Sequence, residues 1–265
     1  LVVAVIVAAF LLFRGRGGGA PKPMADLPED SLGAMVVTRP KAVLTQALGS
    51  VENLQDDSMR EQFLDSLREG SSEALGFDVT DLREVQRRGF DLDAPLCVSM
   101  PPLGEDMEPQ AMVLSVGLTK RKRALETVAD IVEKNGGVLQ EVSGDIADLY
   151  ALGDEVFLAF RDKRLYAAVG DDEDTIRAAL EDVLTAGKTL GSDKSFGRAM
   201  AHVGGGDFVG YLGLGRVFKA AARAERDSRY PDEEGLAFLG ILEDNIAAVA
   251  FASDNKTASA YLAFA

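Results

Sequence analysis

Four short apolar segments follow one another between Val138 and Val169: Val138–Val142, Ile146–Leu152, Val156–Arg161 and Leu165–Val169. Turns rich in Gly and Asp separate them. Successive strands joined by tight turns pair antiparallel, so this stretch predicts a meander. A sheet of that kind must bury one face, and the periodicity of the rest of the chain shows what covers it.

Apolar residues recur at helical spacing in several segments between strand-like ones. Gly33–Thr38 reads as a strand and Arg39–Leu48 as a helix, with Pro40 in the first turn where a missing N–H costs nothing. A helix over Ser58–Glu69 places Met59, Phe63 and Leu67 in one stripe, predicted to face the core. Thr80–Arg88 is a short helix ended by Gly89, and Leu96–Met100 with Ala111–Leu118 forms a hairpin. Thr119 is placed to cap a helix over Lys120–Asn135, whose inward face is Leu125, Val128, Ala129 and Val132. Helices over Asp171–Leu184 and Ser195–Val203, a strand over Phe208–Gly213 and a helix through Ala222 follow. The hairpin Asn245–Ala252 and Thr257–Phe264 closes the chain. The expected class is α+β, with a mainly antiparallel sheet or sheets, packed helices and an N-terminal transmembrane segment.

Two stretches look like copies. Gly33–Leu44 (GAMVVTRPKAVL) and Phe208–Lys219 (FVGYLGLGRVFK) each run strand, short break, basic residue, apolar helix. Each is later followed by an apolar hairpin, Leu96–Leu118 in one case and Ile246–Leu262 in the other. An internal duplication would divide the domain into repeat units 28–203 and 204–265, the second incomplete; generic strand–helix packing is the alternative.

Leu1–Phe13 is uninterrupted apolar sequence, followed by Arg14, Arg16, a glycine run and Pro21-Lys22-Pro23. As a helix it covers roughly 20 Å, against about 30 Å of hydrocarbon, so it reads as part of a membrane anchor. A cleaved signal ending at Gly18-Gly19-Ala20 is the competing account, opposed by the two arginines. Residues 14–27 then form a flexible linker and 28–265 the domain. Arg14 and Arg16 alone would favour a cytoplasmic C-terminal side.

With Arg14, Arg16, Lys22 and Asp26 lying before Leu27, the remaining 25 basic and 42 acidic residues leave −17. Such a charge repels phosphate backbones and argues against nucleic acid as a partner, while leaving cationic partners open. Cys97 is the only cysteine, so no intrachain disulfide exists; its apolar neighbours Leu96 and Val98 predict a buried thiol. His202, the only histidine, excludes multi-histidine metal sites and most triads, and its place at a helix end suits a cation near the C-terminal dipole.

Familiar motifs fail one by one. Gly187-Lys188-Thr189 ends like a phosphate-binding loop, but Asp182 stands where the first glycine belongs. Asp171, Asp172, Glu173 and Asp174 lack the alternation and the glycine of a calcium loop and read as the acidic start of a helix. Ser253-Asp254-Asn255-Lys256-Thr257 compresses three motifs of penicillin-recognising enzymes into one turn, where they cannot converge. Ser115 lacks the first glycine of a nucleophile elbow. No catalytic residue, cofactor or metal ligand is assigned. The one anomalous cluster is Lys120-Arg121-Lys122-Arg123, four cations opening a helix against its dipole. It reads as an interaction patch for lipid headgroups or an acidic partner, or as a solvated face paired with acids such as Glu126.

Leu27-Pro28-Glu29-Asp30-Ser31-Leu32-Gly33-Ala34-Met35-Val36 is similar to the opening of a bacterial family called domain of unknown function 3352, whose members begin near LP-x-D-x-L after an anchor or signal. Leu165–Leu180 (LYAAVGDDEDTIRAAL), and Ser195-Phe196 leading to Phe208–Phe218, resemble its later strand–helix units. The resemblance implies an envelope-associated protein without an assigned catalytic site. The expectation is therefore a single-pass anchored domain on the outer, periplasmic side of a bacterial inner membrane, binding an envelope protein or serving structurally. An apolar-ligand or lipid-binding protein is the alternative, and a hydrolase the third reading.

Overall fold

The computed structural model describes residues 20–52, 56–102, 111–142, 148–203, 206–227, 232–253 and 258–265. Leu1–Phe13 and residues 254–257 lie outside them. The class is α+β with a large antiparallel sheet, as the sequence indicates. Two compact units, both discontinuous in sequence, can be distinguished. The meander unit comprises Arg39–Leu96 and Ser115–Ala167; the terminal unit comprises the described residues up to Thr38, Cys97–Leu114 and Ala168–Ala265.

In the meander unit, α2 (Pro40–Glu52), α3 (Asp57–Leu75) and α4 (Leu82–Arg87) precede α5 (Arg121–Lys134). Strands β4 (Leu139–Val142), β5 (Leu149–Leu152) and β6 (Val156–Arg161) pair antiparallel in succession, from Leu139 opposite Leu152 to Leu149 opposite Ala159. The first part of β7 (Arg164–Gly170), up to Ala167, continues the order. Phe160, Leu158, Leu165, Leu118 and Ala124 form the buried core of this unit. The meander expected from the sequence is thus present.

Two expectations fail here. α3 begins with Asp56 accepting the Met59 N–H at 3.0 Å and stops at Gly76, whose φ of 78° is a left-handed conformation that glycine adopts without strain. Yet Met59 and Phe63 are 59% and 48% exposed, and Ser71 is the one buried residue of the helix. The stripe is amphipathic, but spacing fixes only that one face is apolar, not that a partner covers it. At α5 the capping position is held by Lys120 without a side-chain cap, while the Thr119 N–H pairs with the Gly89 carbonyl instead.

The terminal unit contains α1 (Lys22–Ala25), β1 (Gly33–Val37), most of β2 (Leu96–Met100), the start of β3 (Ala111–Gly117), α6 (Glu173–Thr185), α7 (Lys194–Val203) and β8 (Phe208–Leu212). α8 (Leu214–Arg226), α9 (Glu233–Asn245), β9 (Ile246–Ser253) and β10 (Ala258–Phe264) complete it. The strand order is β10-β9-β8-β1-β2-β3. β1 and β8, the strands of the two similar stretches, are antiparallel neighbours from Gly33 opposite Leu212 to Val37 opposite Phe208. Each is flanked on its far side by a hairpin, β2–β3 or β9–β10, in mirrored order.

The core of this unit gathers Met24, Val36, Cys97, Leu190, Phe196, Met200, Val209 and Tyr211 against Ala248, Ala250 and Ala252. Three alanines on one face of β9 let α7 approach closely, and Phe196 meets Tyr211 edge-on at 4.9 Å. On the other face of the sheet the Phe251 ring lies over Gly210, where a Cβ would come within 2.0 Å of Phe251 Cζ, so only glycine fits. The linker read over residues 14–27 is shorter in the fold: Met24 is wholly buried and Leu27 is 5% exposed. Two prolines signal extension, but Pro21 at the cap of α1 is compatible with a helical turn once Met24 has a core to enter. α9 had no counterpart in the sequence expectations, because LAFLGIL is apolar without period. Its signal was Asp232-Glu233-Glu234, an acidic start with Asp232 accepting the Glu234 N–H at 3.1 Å.

Candidate functional site

The sequence-singled patch and a charged cleft occur in different units. In the meander unit, the cations at the start of α5 are mostly engaged. Arg121 pairs with Asp148 and lies 5.8 Å from the Phe160 ring centroid. Lys122 is 3.8 Å from Glu126, one turn on. Arg123 donates to the Arg87 carbonyl at 3.4 Å, meeting the C-terminal end of α4 where a cation suits the dipole. Lys120 is the exposed N-cap residue. The dipole conflict at α5 is thus offset by acids and carbonyls around it.

In the terminal unit, a cleft of about 590 Å³ is lined by Pro28, Glu29, Asp30, Asp182, Lys188 and Arg216, with Thr185, Ala186 and Gly187. Its floor is set by backbone pairing: Leu190 N–H to Leu27 O at 2.8 Å and Glu29 N–H to Lys188 O at 3.1 Å. Gly187 and Lys188 are therefore part of the wall, in a segment that leaves the end of α6 and runs beside residues 27–29. Asp182 is an exposed residue whose partial desolvation beside the cleft raises its pKa, and the neighbouring carboxylates of Asp30 and Glu181 push it further the same way.

Behind the cleft, Arg216 is the hub of a network. Its guanidinium pairs with Asp193 Oδ2 and donates to the Ser31 carbonyl at 3.0 Å and the Tyr211 hydroxyl at 3.2 Å. The other Asp193 oxygen accepts the N–H groups of Ser195 at 2.6 Å and Phe196 at 3.3 Å, capping α7. Burial holds the Tyr211 phenol above its ordinary pKa, while Arg216 pulls it down. One carboxylate and one guanidinium thereby tie α7, α8, β8 and the segment before β1. Sequence reasoning did not single out Arg216, although a basic residue beginning the helix in both similar stretches was visible.

The remaining candidates resolve into structure. Cys97 is 1% exposed in the core. Ser115 is buried and its hydroxyl accepts from Arg164 at 2.9 Å. Asp172 accepts the Thr175 N–H at 2.9 Å, which lowers its pKa and makes it the cap of α6. His202, exposed near the end of α7, donates Nδ1–H to the Arg198 carbonyl at 2.7 Å and stacks on Tyr261 with centroids 4.0 Å apart. Among the described residues no group of three or more His, Cys, Asp or Glu side chains could hold a metal ion.

No protein-family model and no curated protein matches the chain. Among solved structures the chain is similar to crystal forms III and I of TP0453, each with a TM-score of 0.40. Identity is 8% and 7%, and the alignments cover 88% of this chain and 74% and 73% of the others.

Proposed function

We propose that the protein is a membrane-anchored, non-catalytic binding or structural domain on the extracytoplasmic side of a bacterial inner membrane. The observation that carries this reading is Leu1–Phe13 with its Arg- and Gly-rich tether, joined to a fold whose nucleophile and metal candidates are used as core, caps and stacks. The likeness of residues 27–36 to the 3352 family is part of the same proposal. Uncovered apolar side chains such as Met59, Phe63, Phe238 and Ile241 support docking over carriage of an apolar ligand, since the large cleft is lined by charged residues. The antiparallel pairing of β1 with β8, and the hairpins mirrored about them, support reading the domain as an internal duplication.

Protease treatment of spheroplasts and of inverted membrane vesicles carrying the full chain tests the topology. Digestion in spheroplasts with protection in inverted vesicles is expected; the reverse would overturn the extracytoplasmic assignment. For the basic patch, a Lys120/Arg121/Lys122/Arg123 quadruple Ala variant that leaves membrane and partner retention unchanged would remove its functional role.

A second reading rests on the cleft itself. Asp182, with its raised pKa near Asp30, has the character of a general acid beside a second carboxylate, as a hydrolase would use. Turnover of chromogenic glycosides or esters, lost in Asp182→Asn, would establish it; absence of turnover across such a panel would dismiss it.

A further inference from the structure

We infer that the α8–α9 helix pair lies against the lipid surface, with Phe238, Ile241 and Phe264 entering the interface and the cations of α8 meeting lipid phosphates. The inference rests on the anchored reading above and adds which surface of the terminal unit the bilayer covers. The first support is the length of the tether. Ala20 already packs on the core and Met24 is wholly buried, so six residues, 14–19, separate the fold from Phe13. A chain that short reaches at most about 25 Å from Phe13 to Ala20, less than the diameter of a small domain. Whatever surface the anchor enters, the terminal unit is held beside it.

The second support is what that unit exposes. Phe238, Ile241 and Phe264 are each 60% exposed. They are neighbours in structure as well. Ile241 lies one turn before Asn245, whose side chain donates to the Ile241 carbonyl at 2.7 Å, and the Asn245 carbonyl accepts the Ala265 N–H at 3.1 Å. The end of β10 thus sits at the C-terminal end of α9. No residue of α9 is buried, although Leu236, Phe238, Leu239, Ile241 and Leu242 make it one of the more apolar helices in the fold. A helix apolar over most of its circumference is stable in water only where something covers it.

The third support is charge. In a region of net −17, α8 presents Lys219, Arg223 and Arg226 as exposed residues at helical spacing, and α8 packs against α9. A basic helix beside an apolar one is the pattern of interfacial binding. Glu233, Glu234, Glu243 and Asp244 stand at the two ends of α9 and weaken attraction to anionic lipid, so contact depends on the high local concentration that the anchor provides. A second copy of the chain is the poorer occupant, because both surfaces would bring −17 of charge together.

The chain contains no tryptophan, so single Trp substitutions report position directly. The full chain would be reconstituted in vesicles of phosphatidylcholine with phosphatidylglycerol, with brominated acyl chains as quencher. Phe10→Trp reports the anchor, Phe238→Trp and Ile241→Trp the proposed surface, and Val169→Trp an exposed strand position of the same unit as control. Quenching of about twofold is expected at 238 and 241, little at 169, and a loss of quenching at 238 when Lys219→Glu and Arg223→Glu are added. Quenching at position 10 with none at 238 and 241 overturns this inference and spares the anchor. No quenching at position 10 overturns the anchored reading itself. Equal quenching at 169 and 238, or a concentration-dependent blue shift at 238 in detergent without lipid, overturns the lipid assignment in favour of nonspecific burial or self-association.

Discussion

The start of α5 and the start of α8 both carry arginine, and they use it in opposite ways. At α5 four consecutive cations draw the eye in sequence, yet their polar contacts are single ones, Arg121 with Asp148, Lys122 with Glu126 and Arg123 with the Arg87 carbonyl, at a partly solvated surface. At α8 a single Arg216 in the unremarkable string LGRVF reaches residues 31, 193 and 211, with its side chain 28% exposed and that of Asp193 14%. Density of charge along a chain measures local repulsion; importance to the fold depends on how many distant elements one group can join out of water.

That contrast can be broken by substitution. Arg216→Ala should destabilise most, by about 2–3 kcal/mol in chemical denaturation, because it leaves Asp193 and the Ser31 carbonyl without their partner at a half-buried site. A loss below that of Arg121→Ala would refute the ranking. Arg216→Lys should cost about 1–2 kcal/mol, since one ammonium cannot reproduce a fork that serves three acceptors. Full retention of stability would show that charge alone suffices. Arg121→Ala and Arg123→Ala should each cost less than about 1 kcal/mol and show a loss that salt diminishes, as exposed pairs do.

The smallest effect is expected at Asp182, and it carries a sign. Its pKa is raised in the fold, so the folded state holds the proton more tightly than the unfolded chain, and stability falls as pH rises above the ordinary aspartate value of about 3.9. Asp182→Asn should therefore raise Tm at neutral pH, by no more than about 2 °C given its exposure, with the gain vanishing below about pH 3. A gain that grows on acidification would mean that Asp182 is instead stabilised as the carboxylate.

Local pattern served well where a segment's neighbours in space are its neighbours in sequence. The strands of the meander between residues 139 and 170 and the final strand pair follow from local apolar patterning, and the acidic start of α6 is a cap bonded as such residues predict. It failed where the answer depends on what arrives from elsewhere. The stripe of α3 was legible, but Met59 and Phe63 face solvent. α9 was missed because a run of apolar residues without period does not distinguish helix from strand. Gly187-Lys188-Thr189 fails the phosphate-loop pattern, and nothing in its string shows that Gly187 and Lys188 border a cleft with residues 28–30.

By itself, then, the sequence determined the α+β class, the similar strand–helix pattern of the stretches beginning at Gly33 and Phe208, the acidic composition and the failure of the familiar catalytic motifs. These depend on composition and on periodicities that act within a few residues. Tertiary structure decided that the strands of the two similar stretches pair with each other, that Met24 ends the tether early, and that Arg216 rather than the cationic run is the hub. Each of these is a contact between segments far apart in the chain. Burial and hydrogen bonding at such contacts are set by three-dimensional proximity, which no local pattern encodes.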